Sequence, residues 1–430
     1  MFWDKEAECT GERRRQALIN ERLKTALRRA YRLPFYRKLF NEHRIRPQDI
    51  KGVKDLPRLP FTTKKDLVEH YPFGFFAVPL SKILTCHATS GTTGRPLITG
   101  YTRRDLNLWA EVMARCLTTA GVRKGDIAQN AYGYGLFTGG LGFHYGLMRV
   151  GALVIPISSG ATERQLLIMR DFQATVLCCT PTYALHLGEE AQRMDMAKEL
   201  KLRVGVFGAE PWSEGLRRQV EERLNLKALD IYGLAETVGP GVSVECEQRD
   251  GMHINEDHFY PEIINPATGE VLGDGEVGEL VITALTRETL PILRYRTRDL
   301  TRLNRERCRC GRTLARMDRI IGRSDDMLII RGINFFPSQL ETLLMEFDEL
   351  EPQYIIRVFR KEAMDEAEVK VEAKPGFWAL GQEKVGELGR RIGDKIHSLL
   401  GLRIGIEVVE PRSIERSMGK AKRVLDERPR

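Results

Sequence analysis

The stretch Thr89-Ser90-Gly91-Thr92-Thr93-Gly94-Arg95-Pro96 is a loop of glycine and hydroxyl side chains that follows a short predicted strand, Ile83–Cys86. Loops of this composition bind polyphosphates, because small residues let backbone N–H groups approach the anion while Ser and Thr hydroxyls add donors. The common P-loop has a Lys and a Ser or Thr directly after its second glycine, whereas Arg95 and Pro96 follow Gly94. An ordinary surface turn has the same composition. The loop is therefore a candidate nucleotide-binding loop whose role depends on the rest of the chain.

Alternating helix and strand patterns surround this loop. An amphipathic helix over 12–39, interrupted at Pro34, precedes it, and Thr62 or Thr63 is a predicted helix N-cap. After the loop, buried-type strands are predicted at 127–131, 152–156, 175–179, 203–207 and 228–231, with helices at 105–120, 139–150, 163–171, 183–194 and 213–224. The alternation implies crossover connections and a largely parallel sheet. Ligands bind such sheets at the loops that leave the carboxyl ends of the strands.

The pattern changes at Glu245, where glycines and prolines punctuate short alternating strands such as Glu279–Thr283. This composition predicts turn-rich β structure over about 240–324. Farther along, strands are predicted at 327–331, 354–360, 366–373 and 405–409, and helices at 337–346 and 384–400. We therefore expect an α/β protein with mixed, largely parallel sheets in a large N-terminal domain, 1–324, and a small α+β C-terminal domain, 325–430.

The composition is that of an ordinary globular protein, since 42% of the 430 residues are hydrophobic and 29% are charged, which excludes disordered and fibrous classes. The first residues are charged, and no run of about eighteen uncharged apolar residues occurs. The net charge of +8 is spread along the chain. We therefore expect a cytoplasmic protein with no membrane segment and no nucleic-acid partner. The basic tail, Arg412–Arg430, is typical of a solvated chain end.

Eight cysteines in 430 residues are too few for a disulfide scaffold, so reduced thiols are expected. Cys308 and Cys310 form a Cys-x-Cys pair closed by a glycine, and Cys246 and His253 flank another turn. Three cysteines and one histidine are a common closed tetrahedral set, so these four residues are a candidate structural zinc site. More than fifty residues separate the two pairs, and four unconnected reduced side chains are the alternative.

Four later motifs follow the glycine loop in order: Asp230-Ile-Tyr-Gly-Leu-Ala-Glu236, Tyr295-Arg-Thr-Arg-Asp299, Gly322-Arg-Ser-Asp-Asp326 and Ser417-Met-Gly-Lys420. Together with that loop, they resemble the motifs of the adenylate-forming acyl-CoA synthetase superfamily. Within the superfamily, the chain is similar to the phenylacetate–CoA ligase family over nearly its whole length, through Leu59–Thr63, Tyr71–Val78, Asn130–Gly140 and Arg323–Gly332.

This resemblance implies a two-step reaction. A carboxylate attacks the α-phosphorus of ATP to give an acyl-adenylate and pyrophosphate, and the thiol of coenzyme A then attacks the adenylate. The resemblance implies a large N-terminal adenylate-forming domain, a small mobile C-terminal domain, and a requirement for ATP, Mg²⁺ and coenzyme A. Dimers are common among such enzymes, so a homodimer is expected.

The resemblance also assigns nucleotide-binding roles. Glu236 would hold Mg²⁺, Tyr232 would stack on adenine, and Asp299 would accept hydrogen bonds from both ribose hydroxyls. The other nucleotide-binding residues would be Ser90, Gly91, Thr92, Thr93, Gly94, Glu210, Asp230, Gly233 and Arg323. The alternatives are a core tyrosine at Tyr232 and a solvated acid at Asp299, paired to Arg296 or Arg298.

The C-terminal motifs correspond to the mobile catalytic parts of the superfamily. Lys420 matches the lysine that bridges carboxylate and α-phosphate oxygens as charge develops, Lys422 is its rival, and a solvated tail lysine is the alternative. Arg323 matches an arginine placed against ribose and phosphate. Asp325 matches the hinge about which the C-terminal domain swings, so that the strand Met327–Gly332 replaces Lys420 in the second step.

The acyl pocket is predicted to contain Tyr132, Tyr134, Phe137, Gly208 and Ala209. Aromatic side chains suit a flat aryl acid, although core packing explains them nearly as well. Leu97 stands where many superfamily members carry a lysine, a departure that the phenylacetate family shares. The triphosphate charge must then be met by Arg95, Mg²⁺ and other groups.

Three functions fit the sequence. The leading one is an ATP-dependent ligase that joins an aryl acid, phenylacetate or a close analogue, to coenzyme A. The second is an adenylyltransferase of the same fold that places AMP on a larger cofactor. The third, a nucleic-acid-binding protein, draws only on the positive charge and lacks any nucleic-acid-binding signature.

Overall fold

The computed structural model describes residues 1–89, 96–330, 333–361, 364–417 and 421–428. The chain divides into two compact units. The first unit comprises Met1–Cys179, Lys198–Ala209 and Leu226–Arg319, and the second comprises Thr180–Ala197, Glu210–Asn225 and Ile320–Arg430. The break after Arg319 comes five residues before the expected boundary, which stays a prediction.

The helices are Lys5–Cys9 (α1), Glu12–Ala30 (α2), Pro34–Glu42 (α3), Lys64–Glu69 (α4), Arg103–Thr119 (α5), Thr138–Val150 (α6), Thr162–Asp171 (α7), Pro181–Arg193 (α8), Glu214–Leu224 (α9), Pro337–Leu344 (α10), Pro375–Trp378 (α11) and Gln382–Leu400 (α12). Short 3₁₀ helices lie at Pro47–Asp49, Val53–Arg58 and Leu80–Lys82. None of the described helices is long and apolar enough to cross a membrane.

The strands of the first unit are Thr85–Ala88 (β1), Ile98–Tyr101 (β2), Ile127–Asn130 (β3), Leu153–Ile155 (β4), Val176–Cys179 (β5), Val204–Gly208 (β6), Lys227–Leu234 (β7), Gly239–Glu245 (β8), Met252–Ile254 (β9), Phe259–Ile264 (β10), Gly278–Ala284 (β11), Tyr295–Thr301 (β12), Leu303–Asn304 (β13) and Arg316–Met317 (β14). Those of the second unit are Gly322–Arg323 (β15), Leu328–Ile330 (β16), Ile333–Phe335 (β17), Leu350–Lys361 (β18), Met364–Ala373 (β19), Gly405–Val409 (β20) and Val424–Asp426 (β21).

The main sheet of the first unit has the strand order β13-β14-β9-β8-β7-β6-β5-β3-β4. The strands from β4 to β7 pair in parallel, and those from β7 to β13 pair antiparallel. Strands β5 and β6 are buried along their whole length, as expected for a sheet covered on both faces. The predicted mixed sheet is confirmed, but only its half from β4 to β7 is parallel, because the turn-rich segment after β7 adds antiparallel strands. The carboxyl ends of the parallel strands present the loops after β3, β6 and β7.

Local signals fix the helix boundaries around this sheet. Helix α5 begins with a capping box, in which the Thr102 hydroxyl accepts from Asp105 N over 3.1 Å and the Asp105 carboxylate accepts from Thr102 N. Thr63 caps α4 with the same kind of capping box, and at the start of α9 the Ser213 hydroxyl accepts from Leu216 N. Pro34 is the first residue of α3, where its missing N–H needs no partner, so the expected interruption of the first long helix is confirmed.

A second sheet and a second core complete the first unit. Strands β10, β11 and β12 pair antiparallel, with Phe259 opposite Ala284. The buried face of α2, which includes Leu23 and Leu27, packs into a core with α3 and the residues around β11 and β12. Strand β1, which pairs with β2, begins at Thr85, two residues later than predicted.

The second unit contains a four-stranded sheet in the order β20-β19-β18-β21 and a hairpin of β16 and β17. Apolar faces of α10 and α12, including Leu340, Leu388 and Ile392, pack against β18 and β19. Helices α8 and α9 belong to this unit, although their sequence positions lie between strands of the main sheet.

The basic tail is not the solvated end that its composition suggests. Residues Val424–Asp426 form β21, which pairs in parallel with β18 from Ile356 onward. Arg416 is only 14% exposed and contacts Glu189 over 3.1 Å and Glu372 over 2.6 Å. These partners lie far away in sequence, so the local composition of the tail does not reveal them.

Candidate active site

Two residues assigned to the adenosine part of ATP are neighbours in the first unit. Tyr232 lies in β7 and Asp299 in β12, and the Tyr232 hydroxyl donates a hydrogen bond to Asp299 Oδ2 over 2.7 Å. Burial, and next the charge of Asp299, raise the pKa of the Tyr232 phenol. The phenol therefore stays protonated as a donor and fixes the ring relative to the carboxylate. A flat aromatic face beside a carboxylate is what an adenine base and ribose hydroxyls require.

The two arginines near Asp299 share another acidic partner. Arg296 lies 2.7 Å and Arg298 3.6 Å from Glu279, and the Glu279 side chain is fully buried. The hydrogen bonds that Arg296 donates to the Glu279 carboxylate raise the pKa of Arg296. Both guanidinium groups, which belong to β12, therefore form ion pairs with a carboxylate of the neighbouring strand β11.

Glu236, the expected magnesium ligand, follows β7 and is 8% exposed. Its Oε1 accepts a hydrogen bond from the Tyr295 hydroxyl over 3.0 Å, and this is the one hydrogen bond that Glu236 makes within the described part of the chain. A buried carboxylate with an oxygen left for another ligand suits a hard divalent cation. The donor type and its surroundings fit Mg²⁺.

The candidate nucleotide loop lies outside the described residues, and this includes Ser90, Gly91, Thr92, Thr93, Gly94 and Arg95. The flanking residues are tied together, because Thr89 N donates to Leu97 O over 3.0 Å and Leu97 N donates to Thr89 Oγ1 over 3.1 Å. The side chain of Leu97 is buried in the core of the first unit. Position 97 therefore packs the protein interior and supplies no charge to a triphosphate.

The candidate acyl pocket begins at the carboxyl end of β3. Asn130 donates from Nδ2 to the Tyr134 hydroxyl over 2.7 Å and to Gly140 O over 2.8 Å, which fixes the loop between β3 and α6. The Tyr132 hydroxyl donates to Gly208 O over 3.4 Å, and its ring stacks on Phe143 with centroids 4.6 Å apart. This arrangement brings Tyr132 to the end of β6, where the predicted pocket residues Gly208 and Ala209 lie.

The other predicted aromatic residues differ in exposure. Burial raises the pKa of Tyr134 to about 12, so the phenol is neutral, and its hydroxyl lies 3.1 Å from His144 Nδ1. Phe137 precedes α6 and is 55% exposed. Tyr132 and Tyr134 are thus held by hydrogen bonds, whereas the Phe137 ring is largely open to solvent.

Two predicted glycine positions serve close backbone packing. A Cβ atom at Gly208 would lie 2.1 Å from Ile231 O, and one at Gly233 would lie 2.2 Å from Gly239 O. Both positions therefore require glycine where β6, β7 and β8 meet. Asp230 lies in β7, three residues before Gly233, and donates its backbone N–H to Glu245 Oε2 over 2.9 Å.

Glu210 belongs to the second unit, where both of its carboxylate oxygens accept backbone hydrogen bonds. Thr182 N donates to Oε1 over 2.9 Å and Ala421 N to Oε2 over 2.8 Å. Burial raises the pKa of Glu210. The predicted catalytic Lys420 lies outside the described residues, but its neighbour Ala421 is held by Glu210, and Arg416 is held by Glu189 and Glu372.

The predicted hinge pairs with the predicted phosphate-binding arginine. Arg323 donates from Nε to Asp325 Oδ1 over 2.9 Å and from Nη2 to Asp325 Oδ2 over 3.0 Å. The two side chains are 37% and 50% exposed, so water screens the pair. The following strand, expected over 327–332, is β16, and Arg331 and Gly332 lie outside the described residues.

Comparison with known proteins places this site in a family. Residues 78–285 match the model of the AMP-binding enzymes, and residues 332–428 match that of the AMP-binding enzyme C-terminal domain. The chain is 49% identical to phenylacetate-coenzyme A ligase of Thermus thermophilus, over 99% of both chains. It is 50% identical to the Escherichia coli enzyme of the same name, over 96% of this chain and 94% of that one.

The chain belongs to the phenylacetate–CoA ligase family. It is thus an AMP-forming acid–thiol ligase, which activates an acid with ATP as an acyl-adenylate and forms a coenzyme A thioester. The crystal structure of 2-hydroxyisobutyryl-CoA ligase in the postadenylation state, in complex with 2-HIB-AMP, is similar to this chain at a TM-score of 0.94 and 31% identity, covering 99% of this chain and 92% of that one. The predicted superfamily, fold and ligase activity are confirmed, and the ligase is favoured over the adenylyltransferase.

The predicted zinc ligands of this family member also come together. Cys246 Sγ lies 3.8 Å from Cys308 Sγ, and Cys310 Sγ lies 3.4 Å from His253 Nε2. The four candidate ligand atoms all lie within 4.8 Å of one another. Cys246 and His253 therefore lie close to Cys308 and Cys310 in the folded chain, as the hypothesis of one shared metal site requires.

Sequence reasoning assigned no role to two residues that organise the site. Asn130 fixes Tyr134 and the start of α6, and Tyr295 supplies the hydrogen bond to Glu236. Asn130 is the last residue of β3, so the rule that ligands bind at the carboxyl ends of parallel strands would have singled it out. Tyr295 begins the motif Tyr295–Asp299, but its hydrogen bond to Glu236 is seen only in the folded chain.

Proposed function

We propose that this ligase acts on phenylacetate or a closely related aryl acid. The observation that carries the proposal is the identity of 49–50% to enzymes named phenylacetate-coenzyme A ligase over almost the entire chain. The stacked Tyr132–Phe143 pair beside Gly208 supports it, because aromatic walls favour a flat aryl group.

In the first step, we assign the adenosine to Tyr232 and Asp299 and the acyl group to the surroundings of Tyr132. Asp299 would accept the ribose hydroxyls while the Tyr232 hydroxyl orients it. Glu236 would hold Mg²⁺, which when bound offsets charge on the phosphate oxygens. Lys420 would meet the charge that develops between the carboxylate and the α-phosphate.

In the second step, we propose that the part of the chain beyond Asp325 turns about this residue, so that Lys420 leaves and coenzyme A is admitted. Domains over 1–324 and 325–430 belong to this proposal, which the C-terminal family match over 332–428 supports. Arg323 would then change its contacts with ribose and phosphate as its pair with Asp325 rearranges.

Replacing the hinge residue with proline is expected to slow the thioester step much more than adenylation, because proline fixes φ near about −65° and blocks rotation. Asp325→Ala is the matched control, since it removes the same carboxylate from Arg323 but leaves φ free. Each half-reaction is measured alone, by pyrophosphate release and by conversion of supplied acyl-adenylate with coenzyme A. Equal rates for the Pro and Ala variants in both steps would place the hinge elsewhere.

The substrate assignment is tested by a pyrophosphate-release screen over aryl, fatty and amino acids, with and without coenzyme A. Phenylacetate or a close analogue is expected to give the highest kcat/KM, and turnover is expected to require coenzyme A. Differences among aryl acids should be modest, since one methylene or hydroxyl changes binding by only ~1–3 kcal/mol in a pocket without a polar partner. A clear preference for a fatty or amino acid would contradict the proposal.

The remaining parts of the proposal concern the setting of the enzyme. We infer from the resemblance that it works as a homodimer, and we propose, as the sequence composition predicts, that it works in the cytoplasm. Sedimentation velocity on the purified enzyme tests the dimer. A structural Zn²⁺ at the Cys/His cluster is independent of both reaction steps.

A further inference from the structure

The cluster of Cys246, His253, Cys308 and Cys310 has no role in the proposed reaction. Cys246 directly follows β8, His253 lies in β9, and the two other cysteines lie in the connection between β13 and β14. Strands β8 and β14 both pair with β9, opposite His253. The main sheet therefore brings two distant segments of the chain to one place, and three of the four residues are buried there.

The distances within the cluster match a tetrahedral metal centre. With Zn–S bonds of about 2.3 Å and a Zn–N bond of about 2.0–2.1 Å, tetrahedral angles separate two sulfurs by about 3.8 Å and a sulfur from a nitrogen by about 3.5 Å. The observed distances are 3.8 Å between Cys246 Sγ and Cys308 Sγ and 3.4 Å between Cys310 Sγ and His253 Nε2. A disulfide would require about 2.0 Å. We propose that these four residues bind one Zn²⁺ ion.

The groups around the cluster suit a site with three thiolates. Cys310 N donates to Cys308 Sγ over 3.5 Å, and Gly311, whose φ is +95°, donates its N–H to Cys308 O over 2.9 Å. This turn directs both thiols to the same side. Zn²⁺ with three thiolates and a neutral histidine has a net charge of −1, and Arg312 Nη1, 3.6 Å from Cys310 Sγ, offsets it.

The same loop holds the first residues of the chain. Arg312 Nε donates to Glu8 Oε2 over 2.6 Å, and both side chains are almost fully buried, at 3% and 0% exposure. Arg312 Nη2 donates to Met1 O over 2.6 Å, and Thr313 N donates to Glu8 O over 3.0 Å. Because a bound metal fixes the loop that carries Arg312, zinc also tethers the N-terminal segment to the first unit.

The ion has a structural role. Four protein ligands fill a tetrahedral zinc centre, so no position is open to water or substrate. Binding to the folded chain stabilises it, because the unfolded chain does not hold the four ligands together.

The metal is tested on full-length enzyme purified without a histidine tag or chelator. Elemental analysis is expected to find about one zinc per chain, and a mercurial that modifies thiols should release it. Cys308→Ser should lose most of the zinc and melt several degrees lower. Cys178→Ser, which changes a buried cysteine outside the cluster, should keep the zinc.

The tether is tested by hydrogen exchange of residues 1–15, which should accelerate several-fold in Cys308→Ser and in wild-type enzyme stripped of zinc, but not in Cys178→Ser. Less than about a tenth of an equivalent of zinc, or a full equivalent of another metal, would overturn the assignment. Unchanged exchange after zinc loss would overturn the tether. If Cys308→Ser does not fold, the mercurial release and exchange of the wild-type enzyme decide both points.

Discussion

Lys420→Ala is expected to lower ATP-dependent pyrophosphate release by about 100-fold or more, because a single donor aimed at developing charge contributes a factor of roughly 10²–10³. The same variant is expected to convert supplied acyl-adenylate and coenzyme A to thioester at nearly the wild-type rate. In the proposed mechanism, only adenylation needs a cation between the carboxylate and the α-phosphate. The two half-reactions should therefore separate in this one variant.

The described residues on either side of Lys420 make contacts with other parts of the second unit. Ala421 N donates to Glu210 Oε2 over 2.8 Å, and Arg416 pairs with Glu189 and Glu372. Burial by itself raises the pKa of Glu189, but a hydrogen bond with His186 and the charges of Arg416 and Arg223 lower it to about 2, so Glu189 stays ionised. The segment on both sides of Lys420 is thus anchored by buried groups and is not a free chain end.

Lys422→Ala is the matched control, because it removes a lysine two residues away. Its pyrophosphate release is expected to stay within about twofold of wild type, as for most solvent-facing substitutions. An equal loss in both half-reactions of Lys420→Ala would contradict the division of labour. A larger loss in Lys422→Ala would assign the catalytic charge to Lys422.

Asp299→Ala is expected to lower kcat/KM for ATP by about 100-fold or more, because each of the two ribose hydrogen bonds to this charged acceptor contributes about 1.5–3 kcal/mol. The loss should appear in adenylation, with thioester formation from supplied adenylate affected less if the ribose is already held by other contacts. Isothermal titration with ATP and steady-state pyrophosphate release measure the effect.

Two variants separate the carboxylate of Asp299 from its surroundings. Tyr232→Phe removes the hydroxyl that donates to Asp299 but keeps the ring, so it should weaken ATP binding by less than Asp299→Ala. Asp318→Ala removes a half-exposed acid that pairs with Arg302, and it should leave the kinetics unchanged. Equal loss in Asp299→Ala and Asp318→Ala would point to a general charge effect instead of ribose recognition.

Much of the fold could be predicted from local pattern. The alternation of helices and short apolar strands predicted the parallel part of the main sheet, with most boundaries correct to within two or three residues. Thr62 or Thr63 was the predicted N-cap of α4, and Thr63 caps it, because capping depends on residues only three apart. Strand β17 and strand β21 were missed, since short strands carry too little periodic signal.

The site could be predicted in part for the same reason. Tyr232, Glu236 and Asp299 lie in compact motifs with recognisable order, so the resemblance names them as candidates without knowledge of their contacts. Asn130, Tyr295 and Arg416 were not assigned roles, because their importance depends on partners that lie far away along the chain.

The sequence by itself determined the superfamily, the order of most elements and the candidate site residues, because these depend on periodicity and on motifs a few residues long. Tertiary structure alone decided that Tyr232 contacts Asp299, that the basic tail is anchored at Arg416, and that Cys246 and His253 meet Cys308 and Cys310. Each of these contacts joins segments that are tens of residues apart in the sequence. They depend on which strands pair and in which register, and only the packing of the whole chain sets that.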